Sequence, residues 1–480
     1  MRNRVRVAVA VAAVVGGLVL PTTAVADPAR NTVSDRVFDE YLSRAVTDTG
    51  VPGLSAVITR GGEIVHAAGY GRDSAGAAVT ERTPMRIASL TKAFTATAVM
   101  ILLEDGAIGL DRPVVDQLPE FRTDDPRSDR ITVRQLLNQT SGLSDRGADI
   151  RATESAGSLA EYTATLRTAR LTADPGTRWA YTNVNYNLAA RLVEVASGTD
   201  FGAFLRQRIF TPLDMPDSAL GDDTITPTQG FNSLFGRWIA RDELPAFLDD
   251  SGSGGVITTA ADMGRWLITQ SGDGQRLVSA ESLALMHAPT PVRDYGMGWG
   301  LDTDHGAPLL THSGNLFTYT SAAALDPSTG YGYAVFANSA ALHDATYEIL
   351  TGLVALGRGE QPAETGNARR WTEGALAALT LGALGLGITG VVRAGGWARR
   401  RRTSRWWTTT LRCVPAPLPI LLFACYPQLV SVLTNGRTVT WAQLTYFAAP
   451  LSIALLACAC AGAVTLAARL IRLRSLSSAR

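Results

Sequence analysis

Hydrophobic and polar residues alternate in short runs at both ends of the segment from residue 33 to residue 357. Near its start, the runs GLSAVITR and EIVHAAGYG flank Gly61-Gly62, which predicts a β-hairpin. Near its end, residues 341–357 have a helical pattern. Before that helix, three runs predict successive strands joined by turns: residues 307–314, 317–327 and 330–339.

The middle of this segment has a helical pattern instead. The run SLTKAFTATAVMILLEDG predicts a helix with Ser89 as its N-cap and Gly106 as its stop. Residues 131–211 predict further helices joined by loops. Strands at both ends with helices between them predict an α+β fold. We expect one antiparallel β-sheet flanked by helices and closed by both ends of the segment, plus a mostly helical subdomain.

Long apolar runs lie outside this segment. The N-terminus combines the cationic MRNRVR with an apolar run and an A-x-A site, which predicts a signal peptide over residues 1–26. An uncleaved anchor is the alternative, although the apolar run is short for a membrane span. A linker over residues 358–371 precedes a region, residues 372–480, that predicts three transmembrane helices. Their approximate ranges are 374–392, 411–433 and 442–470.

Charge separates the two parts of the chain. The net charge is +1, yet residues 27–360 carry 26 Arg and one Lys against 41 Asp and Glu, whereas residues 361–480 carry 14 Arg against Glu364 and Glu373. Seven arginines lie between the first two apolar runs of the tail, and one lies in TNGRTVTW. Buried helices of a soluble protein would not explain this alternation. Because basic connectors stay in the cytoplasm, we expect a multi-pass membrane protein with residues 27–357 on the extracytoplasmic side.

Composition excludes several classes of protein. All four cysteines lie in the tail, so residues 27–357 have neither a disulfide framework nor a cysteine-based zinc site. The five histidines are scattered and form no H-E-x-x-H pattern, so we expect no metal and no cofactor. The exported domain is acidic, and topology accounts for the tail arginines, so nucleic acid is not an expected partner.

The candidate chemistry centres on one lysine. Lys92 is the only lysine in 480 residues, and Ser89 lies three positions before it, on the same face of the predicted helix. A serine hydroxyl becomes a strong nucleophile only when a neighbour takes its proton. A partly desolvated lysine can be neutral enough to do so, whereas arginine keeps its proton. Serine is common, so this pair carries weight only together with further partners.

Two further pairs follow in order along the chain. Tyr181 and Asn183 offer a phenol and an amide on a loop that enters a predicted helix. His312 and Gly314 lie on a predicted strand, where the glycine permits close approach of another backbone or a substrate. Taken singly, Tyr181 could be ordinary packing and His312 a surface residue. The ordered set is far less frequent by chance.

With these residues, the segment 33–357 resembles the class C-like branch of the serine β-lactamase and penicillin-binding D-Ala-D-Ala carboxypeptidase superfamily. The stretches LLNQTSGL, SGSGGVITTAADMGRW and YGMGW are also similar to that branch. The resemblance implies a β-lactamase/transpeptidase-like fold and a serine hydrolase that needs no cofactor. Its substrate would be a small molecule or peptide: a β-lactam, a D-amino-acid peptide or an ester.

The resemblance also implies a role for each matching residue. Ser89 would be the acylated nucleophile, and Lys92 would accept or tune its proton. Tyr181 would relay protons and, with Lys92, activate the hydrolytic water, since no glutamate of the class A type can be identified. Asn183 would contact both the substrate and the lysine. These residues predict acylation of the serine followed by hydrolysis.

The third box departs from the family pattern. Many relatives begin it with lysine, whereas His312 is largely neutral at pH 7. Some relatives add an arginine on the neighbouring strand, but the stretch YGMGWGLD has Trp299 and no arginine. This weakens the case for a substrate with a free carboxylate. Next to Gly314, the backbone N–H groups of Asn315 and Ser89 would form the oxyanion hole.

Three functions remain open at this point. We expect a membrane-anchored extracytoplasmic hydrolase of amides or esters. The alternative is a sensor that is acylated by a penicillin or a wall fragment without efficient turnover, and whose short cytoplasmic portions would require a signalling partner. An inactive scaffold is the third, and the competent residue in every catalytic box argues against it.

Overall fold

The computed structural model describes residues 33–221, 224–244, 247, 249–434 and 436–477. The expected signal peptide, residues 1–26, therefore lies outside the described residues. Two parts are distinguished below: the N-terminal domain, residues 33–357, and the C-terminal tail, residues 358–477.

Twelve strands lie in the described part of the N-terminal domain. Numbered in chain order, they are β1 Gly53–Arg60, β2 Glu63–Gly71, β3 Met85–Arg86, β4 Ala219–Leu220, β5 Gly230–Leu234, β6 Arg237–Arg241, β7 Val256–Thr258, β8 Gly300–Asp302, β9 Leu309–Asn315, β10 Thr320–Asp326, β11 Tyr331–Ala337 and β12 Ser339–Ala340. The largest sheet is antiparallel and has the order β2-β1-β11-β10-β9-β8. Because β1 pairs with β11, the two ends of the domain close this sheet, as the sequence predicts. Two small sheets, β12-β5-β6 and β3-β7-β4, lie beside it.

Eleven α-helices accompany these strands in the described residues of the domain. They are α1 Asp35–Thr49, α2 Thr91–Glu104, α3 Val114–Gln117, α4 Val133–Leu137, α5 Ile150–Glu154, α6 Leu159–Thr165, α7 Asn183–Ser197, α8 Phe201–Leu205, α9 Ala260–Gln270, α10 Ala280–His287 and α11 Thr346–Gly357. Helices α3 to α8 form the helical subdomain that the pattern over residues 131–211 predicts. The observed α+β architecture confirms the expected fold class for this domain.

Strand β1 shows how the sheet divides the core into two layers. Because side chains alternate across a strand, Leu54, Ala56 and Ile58 face one layer and Val57 faces the other. The first layer packs under α1 and α11, where Phe38 is fully buried. The second layer packs against α9 and continues into α2 and α7. The candidate catalytic residues lie where this second layer meets the helical subdomain.

The tail contains seven helices in its described residues, of which two are long. They are α12 Ala368–Val392, α13 Ala394–Arg399, α14 Trp406–Leu411, α15 Leu418–Ala424, α16 Tyr426–Leu433, α17 Trp441–Leu444 and α18 Ala449–Ser477. The spans Ala368–Val392 and Ala449–Leu476 are long and apolar enough to cross a membrane, with mean hydropathies of 2.0 and 2.2. Many of their apolar side chains are exposed, for example Leu386 at 72% and Val392 at 77%.

The expectation of three membrane-spanning helices is not confirmed. The middle apolar run, about residues 411–433, is broken into short helices instead of forming one helix of span length. Its prolines, Pro415, Pro417 and Pro427, lack the backbone N–H that a helix interior uses, and each ring clashes with the preceding turn. Within the described residues, two helices of the tail therefore remain as candidate spans.

The two long helices run in the same direction from the N-terminal domain. Gly387 packs against Ala461 and Gly390 against Thr465, so the residue numbers increase together along the contact. The start of each helix is anchored to the β5–β6 hairpin. Arg369 donates from Nη1 to Ser233 Oγ over 2.7 Å. Arg241 of β6 donates from Nη1 to the Thr445 carbonyl oxygen, also over 2.7 Å. The segment between the two helices therefore returns to the domain.

Candidate active site

Ser89 lies on a 3₁₀ turn, Ala88–Leu90, directly before α2. The expectation that Ser89 caps this helix is wrong, because α2 begins at Thr91 with Leu90 in the N-cap position. Ala88 has a φ of +50°, in the left-handed region that an alanine rarely adopts. Such a conformation typically costs about 1–3 kcal/mol, and it is often found at functional sites. The turn presents Ser89, which is half-buried, to a cavity of about 150 Å³.

Lys92 lies behind Ser89, one turn into α2, and is fully buried at 0% exposure. Its Nζ lies 3.0 Å from Ser89 Oγ, 3.0 Å from Asn183 Oδ1 and 2.8 Å from the Ser253 carbonyl oxygen. Desolvation, together with the nearby Arg437 charge, lowers the pKa of Lys92 well below its usual range. A neutral Lys92 amine beside the serine hydroxyl can accept the serine proton.

Tyr181 and Asn183 reach the same point from the loop that enters α7. Thr182 between them is the helix N-cap, and its Oγ1 accepts a hydrogen bond from the Val184 backbone. The Lys92 Nζ lies 4.9 Å from the centre of the Tyr181 ring. Desolvation raises the pKa of Tyr181, against the opposing effects of the Arg437 charge and a hydrogen bond with Ser89. Tyr181 is therefore a protonated phenol at neutral pH, suited to donate a proton.

His312 lies on β9, facing Tyr181 with the ring centres 6.2 Å apart. Its Nδ1 lies 2.8 Å from the Ser313 carbonyl oxygen, so this nitrogen carries the proton, and Nε2 accepts from the Tyr295 hydroxyl at 3.2 Å. Desolvation, with a contribution from Lys92, lowers the pKa of His312 to about 3. His312 is therefore neutral at pH 7 and serves as a hydrogen-bonding group.

Gly314, on the same strand, allows β9 to pass close to the turn that holds Ser89. A Cβ at this position would lie 2.5 Å from the Ile87 carbonyl oxygen and 2.8 Å from the Ala88 Cβ. Asn315 follows at the edge of the cavity, where its side chain accepts a hydrogen bond from the Phe317 backbone. The strand thus brings the Asn315 backbone beside the cavity that Ser89 also lines.

All seven residues singled out from the sequence therefore lie around one site. The sequence argument did not identify three groups that also shape it. Tyr295 bonds His312, and it lies within the YGMGW stretch that the sequence had marked. Asp145 and Arg437 form an ion pair at the cavity, with Nε donating to Oδ2 over 2.7 Å. The only sequence signal for Arg437 was its position as the single arginine of its connector.

The site holds no group suited to a metal in the part of the chain that the structure describes, where no cluster of three or more His, Cys, Asp or Glu side chains is found. The expected absence of an arginine on the neighbouring strand agrees with β8. Trp299, just before β8, is buried and donates from Nε1 to Gln270 Oε1 over 3.2 Å. The arrangement is thus that of a nucleophilic serine with a neutral lysine and a phenol.

Comparisons with known proteins match this geometry. Protein flp of Staphylococcus aureus strain N315 is 25% identical over 319 residues, 64% of this chain and 63% of that protein, so the chain spans less than two thirds of that relative. Penicillin-binding protein 4 of Amycolatopsis lactamdurans is 30% identical over 305 residues, 57% of this chain and 78% of that protein.

A solved structure extends the similarity to the fold. The D-amino acid amidase of Ochrobactrum anthropi SV3, complexed with D-phenylalanine, aligns with a TM-score of 0.56 and 25% identity, over 68% of this chain and 99% of that chain. The sequence profile of the Beta-lactamase family matches residues 38–355, which is more than half of the chain. The chain therefore belongs to the β-lactamase family, within the superfamily of serine β-lactamase-related hydrolases and penicillin-binding proteins.

Proposed function

We propose that the protein is a membrane-anchored serine hydrolase that acts outside the cytoplasm and cleaves an amide or ester through an acyl-Ser89 intermediate. The observation that carries this proposal is the buried Lys92 amine, 3.0 Å from Ser89 Oγ and with a lowered pKa. The D-amino acid amidase and the penicillin-binding relatives support a D-amino-acid amide, peptide or β-lactam as the substrate class.

Acylation begins with proton transfer from Ser89 Oγ to the neutral Lys92 amine. The oxygen attacks the substrate carbonyl carbon, and the backbone N–H groups of Ser89 and Asn315 stabilise the oxyanion. When the tetrahedral intermediate collapses, the leaving group takes a proton from the Tyr181 hydroxyl, whose raised pKa keeps it protonated until then. Lys92 returns its proton to Tyr181, so the acyl-enzyme forms without a net gain or loss of protons.

Deacylation uses the same groups in the reverse sense. Tyr181, with Lys92, takes a proton from a water molecule that attacks the acyl carbonyl carbon. The bond to Ser89 Oγ breaks, and that oxygen regains a proton from Lys92. Asn183 holds the lysine in place throughout, since its Oδ1 accepts from Nζ at 3.0 Å. His312, held neutral, offers hydrogen bonds rather than a charge to the substrate.

The tail is proposed to anchor this domain in a membrane. Support comes from α12 and α18, which leave the N-terminal domain in the same direction with exposed apolar surfaces. The seven arginines of residues 393–412 follow the far end of α12, where the positive-inside tendency predicts cytoplasm. The N-terminal domain would then lie on the extracytoplasmic side.

Labelling of the serine tests the proposed reaction. The full chain, purified in detergent, is treated with a fluorescent penicillin and with a fluorophosphonate. We expect the wild-type protein to be labelled and Ser89→Ala to remain unlabelled, because the acyl group is lost with its oxygen. Ser313→Ala, which changes an exposed serine on β9, is the matched control and should label normally. Absence of a serine-dependent adduct with either probe in the wild type would contradict the proposal.

The sensor is kept as a second candidate because the tail touches the catalytic cavity through Arg437. Turnover separates the two functions. After excess penicillin is removed, mass spectrometry of the Ser89 peptide follows the acyl group over time. A hydrolase returns to the unmodified mass and can be acylated again, whereas a sensor stays acylated.

A further inference from the structure

The connector between α16 and α17 reaches the catalytic cavity from the tail. Arg437 and Thr438 of this connector line the cavity, as does Gln443 of α17. On the other side, the cavity is lined by residues of the N-terminal domain that include Ser89 and Asn183. A wall of the site is therefore built from residues that follow Ser89 by about 350 positions.

The connector is held in place by Asp145, which lies in the loop after α4. Arg437 Nε donates to Asp145 Oδ2 over 2.7 Å, and the Thr438 backbone N–H donates to the same oxygen over 3.2 Å. The Asp145 side chain is only 5% exposed. Arg437 is its one ion-pair partner among the described residues. Because a buried carboxylate is costly without a cation, the domain depends on the tail to pair this charge.

Asp145 also links the connector to the catalytic loop. Its other oxygen, Oδ1, accepts a hydrogen bond from Thr182 Oγ1 over 2.6 Å. Thr182 lies between Tyr181 and Asn183 and caps α7. A chain of short contacts thus runs from the Arg437 guanidinium through Asp145 to the residue that positions both catalytic side chains.

The Arg437 charge also lies close to the reacting groups. Its Cζ is 5.2 Å from the centre of the Tyr181 ring, on a side chain that is only 32% exposed. Despite desolvation, Asp145 and the tyrosines raise the pKa of Arg437, so it stays charged. The charged and titratable groups that face it are Lys92, Asp145, Arg146, Glu154, Tyr162 and Tyr181.

We propose that Arg437, supplied by the tail, is a positioning residue of the Ser89 site, so that the active site is complete only in the full chain. This inference rests on the proposed function. Through Asp145 and Thr182 it fixes the loop that carries Tyr181 and Asn183. Through its charge it favours the neutral form of Lys92 and so promotes acceptance of the serine proton.

The test measures the rate of Ser89 acylation by a fluorescent penicillin against pH, with the full chain in detergent. In Arg437→Gln the Lys92 pKa is less depressed, so the amine becomes neutral only at higher pH. We expect the acidic limb of the profile to move to higher pH and the rate at pH 7 to fall about tenfold. Arg437→Lys keeps the charge and should largely restore the wild-type limb.

Asp145→Asn separates this electrostatic role from mere docking of the tail. Asp145 raises the pKa of Lys92, so its neutralisation should move the acidic limb to lower pH, opposite to Arg437→Gln. A role in docking alone predicts the same change for both variants. Arg241→Gln is the matched control, because Arg241 contacts the tail at Thr445 and Tyr446 but does not line the cavity. Its profile should match the wild type.

Two results would overturn the inference. One is a wild-type pH profile in Arg437→Gln with normal thermal unfolding. The other is faster acylation in that variant, which would make the connector an inhibitory cover. Either result leaves the proposed function intact as long as the wild type labels at Ser89, whereas loss of labelling in the wild type would remove the proposed function itself.

Discussion

At the scale of single residues, the protein uses arginine wherever a charge suffices and lysine where a base is required. Lys92 is fully buried and is surrounded by three acceptors: Ser89 Oγ, Asn183 Oδ1 and the Ser253 carbonyl oxygen. An arginine there would keep its proton and would also be too large for the site. The lysine therefore matters for its ability to lose a proton.

Replacement of this lysine is the sharpest test at the residue scale. We expect Lys92→Arg to slow Ser89 acylation at least about hundredfold, because general base catalysis typically supplies that much. Lys92→Met, which is similar in length and uncharged, should be equally slow, and it avoids burying a permanent charge. Thermal unfolding of both variants checks that the fold is intact. Near-normal acylation in Lys92→Met would exclude Lys92 as the proton acceptor.

Local sequence was enough to find the catalytic residues but not their distant partners. Ser89, Tyr181 and His312 occur in short patterns whose spacing carries a recognisable chemistry. Arg437 and Asp145 are 292 positions apart and meet only after the whole chain has folded. No periodicity or spacing connects such a pair. The absence of an arginine near Trp299 was read correctly, yet a cation reached the cavity from elsewhere.

At the scale of elements, the predicted strands and helices were confirmed in the N-terminal domain, and the errors have physical causes. The turn before α2 is a tight 3₁₀ turn with Ala88 in the left-handed region, so Ser89 is presented to the cavity instead of capping the helix. Helical periodicity does not report such a turn. The middle apolar run of the tail has the composition of a span, but its prolines interrupt the helix.

Strand β9 gives an element-scale prediction, because Gly314 sets how closely it passes the Ser89 turn. In Gly314→Ala the added Cβ meets Ile87 and Ala88 at 2.5 and 2.8 Å, so the strand or the turn must shift. We expect a loss of about 1–3 kcal/mol in the free energy of unfolding and at least tenfold slower acylation. Gly300→Ala on neighbouring β8, whose Cβ would have its nearest contact at 3.4 Å, is the control. Equal behaviour of the two variants would contradict this account.

At the scale of the whole molecule, the domain and the tail form one functional unit in the proposed arrangement. The starts of α12 and α18 are fixed to the β5–β6 hairpin, and the connector between α16 and α17 is fixed to Asp145. These contacts place the N-terminal domain and that connector on the same side of the proposed membrane. The arginine-rich segment after α12 lies at the opposite end.

This arrangement predicts the labelling of cysteines in intact cells. With the four native cysteines replaced by alanine, a membrane-impermeant maleimide should label Asp149→Cys, an exposed position in the N-terminal domain. Ser404→Cys, an exposed position in the arginine-rich segment, should be labelled only after the cells are permeabilised. Labelling of Ser404→Cys in intact cells would show that the proposed orientation is wrong.

The ion pair between Asp145 and Arg437 also has a consequence for biogenesis. Synthesis proceeds from the N-terminus, so in the proposed topology the N-terminal domain crosses the membrane and folds before Arg437 has been translated. Until the last part of the tail has been inserted, Asp145 lacks its cation and the loop carrying Tyr181 lacks its anchor. A newly exported domain would thus mature into an efficient hydrolase only after its own membrane insertion is complete, which delays activity until the protein is in place.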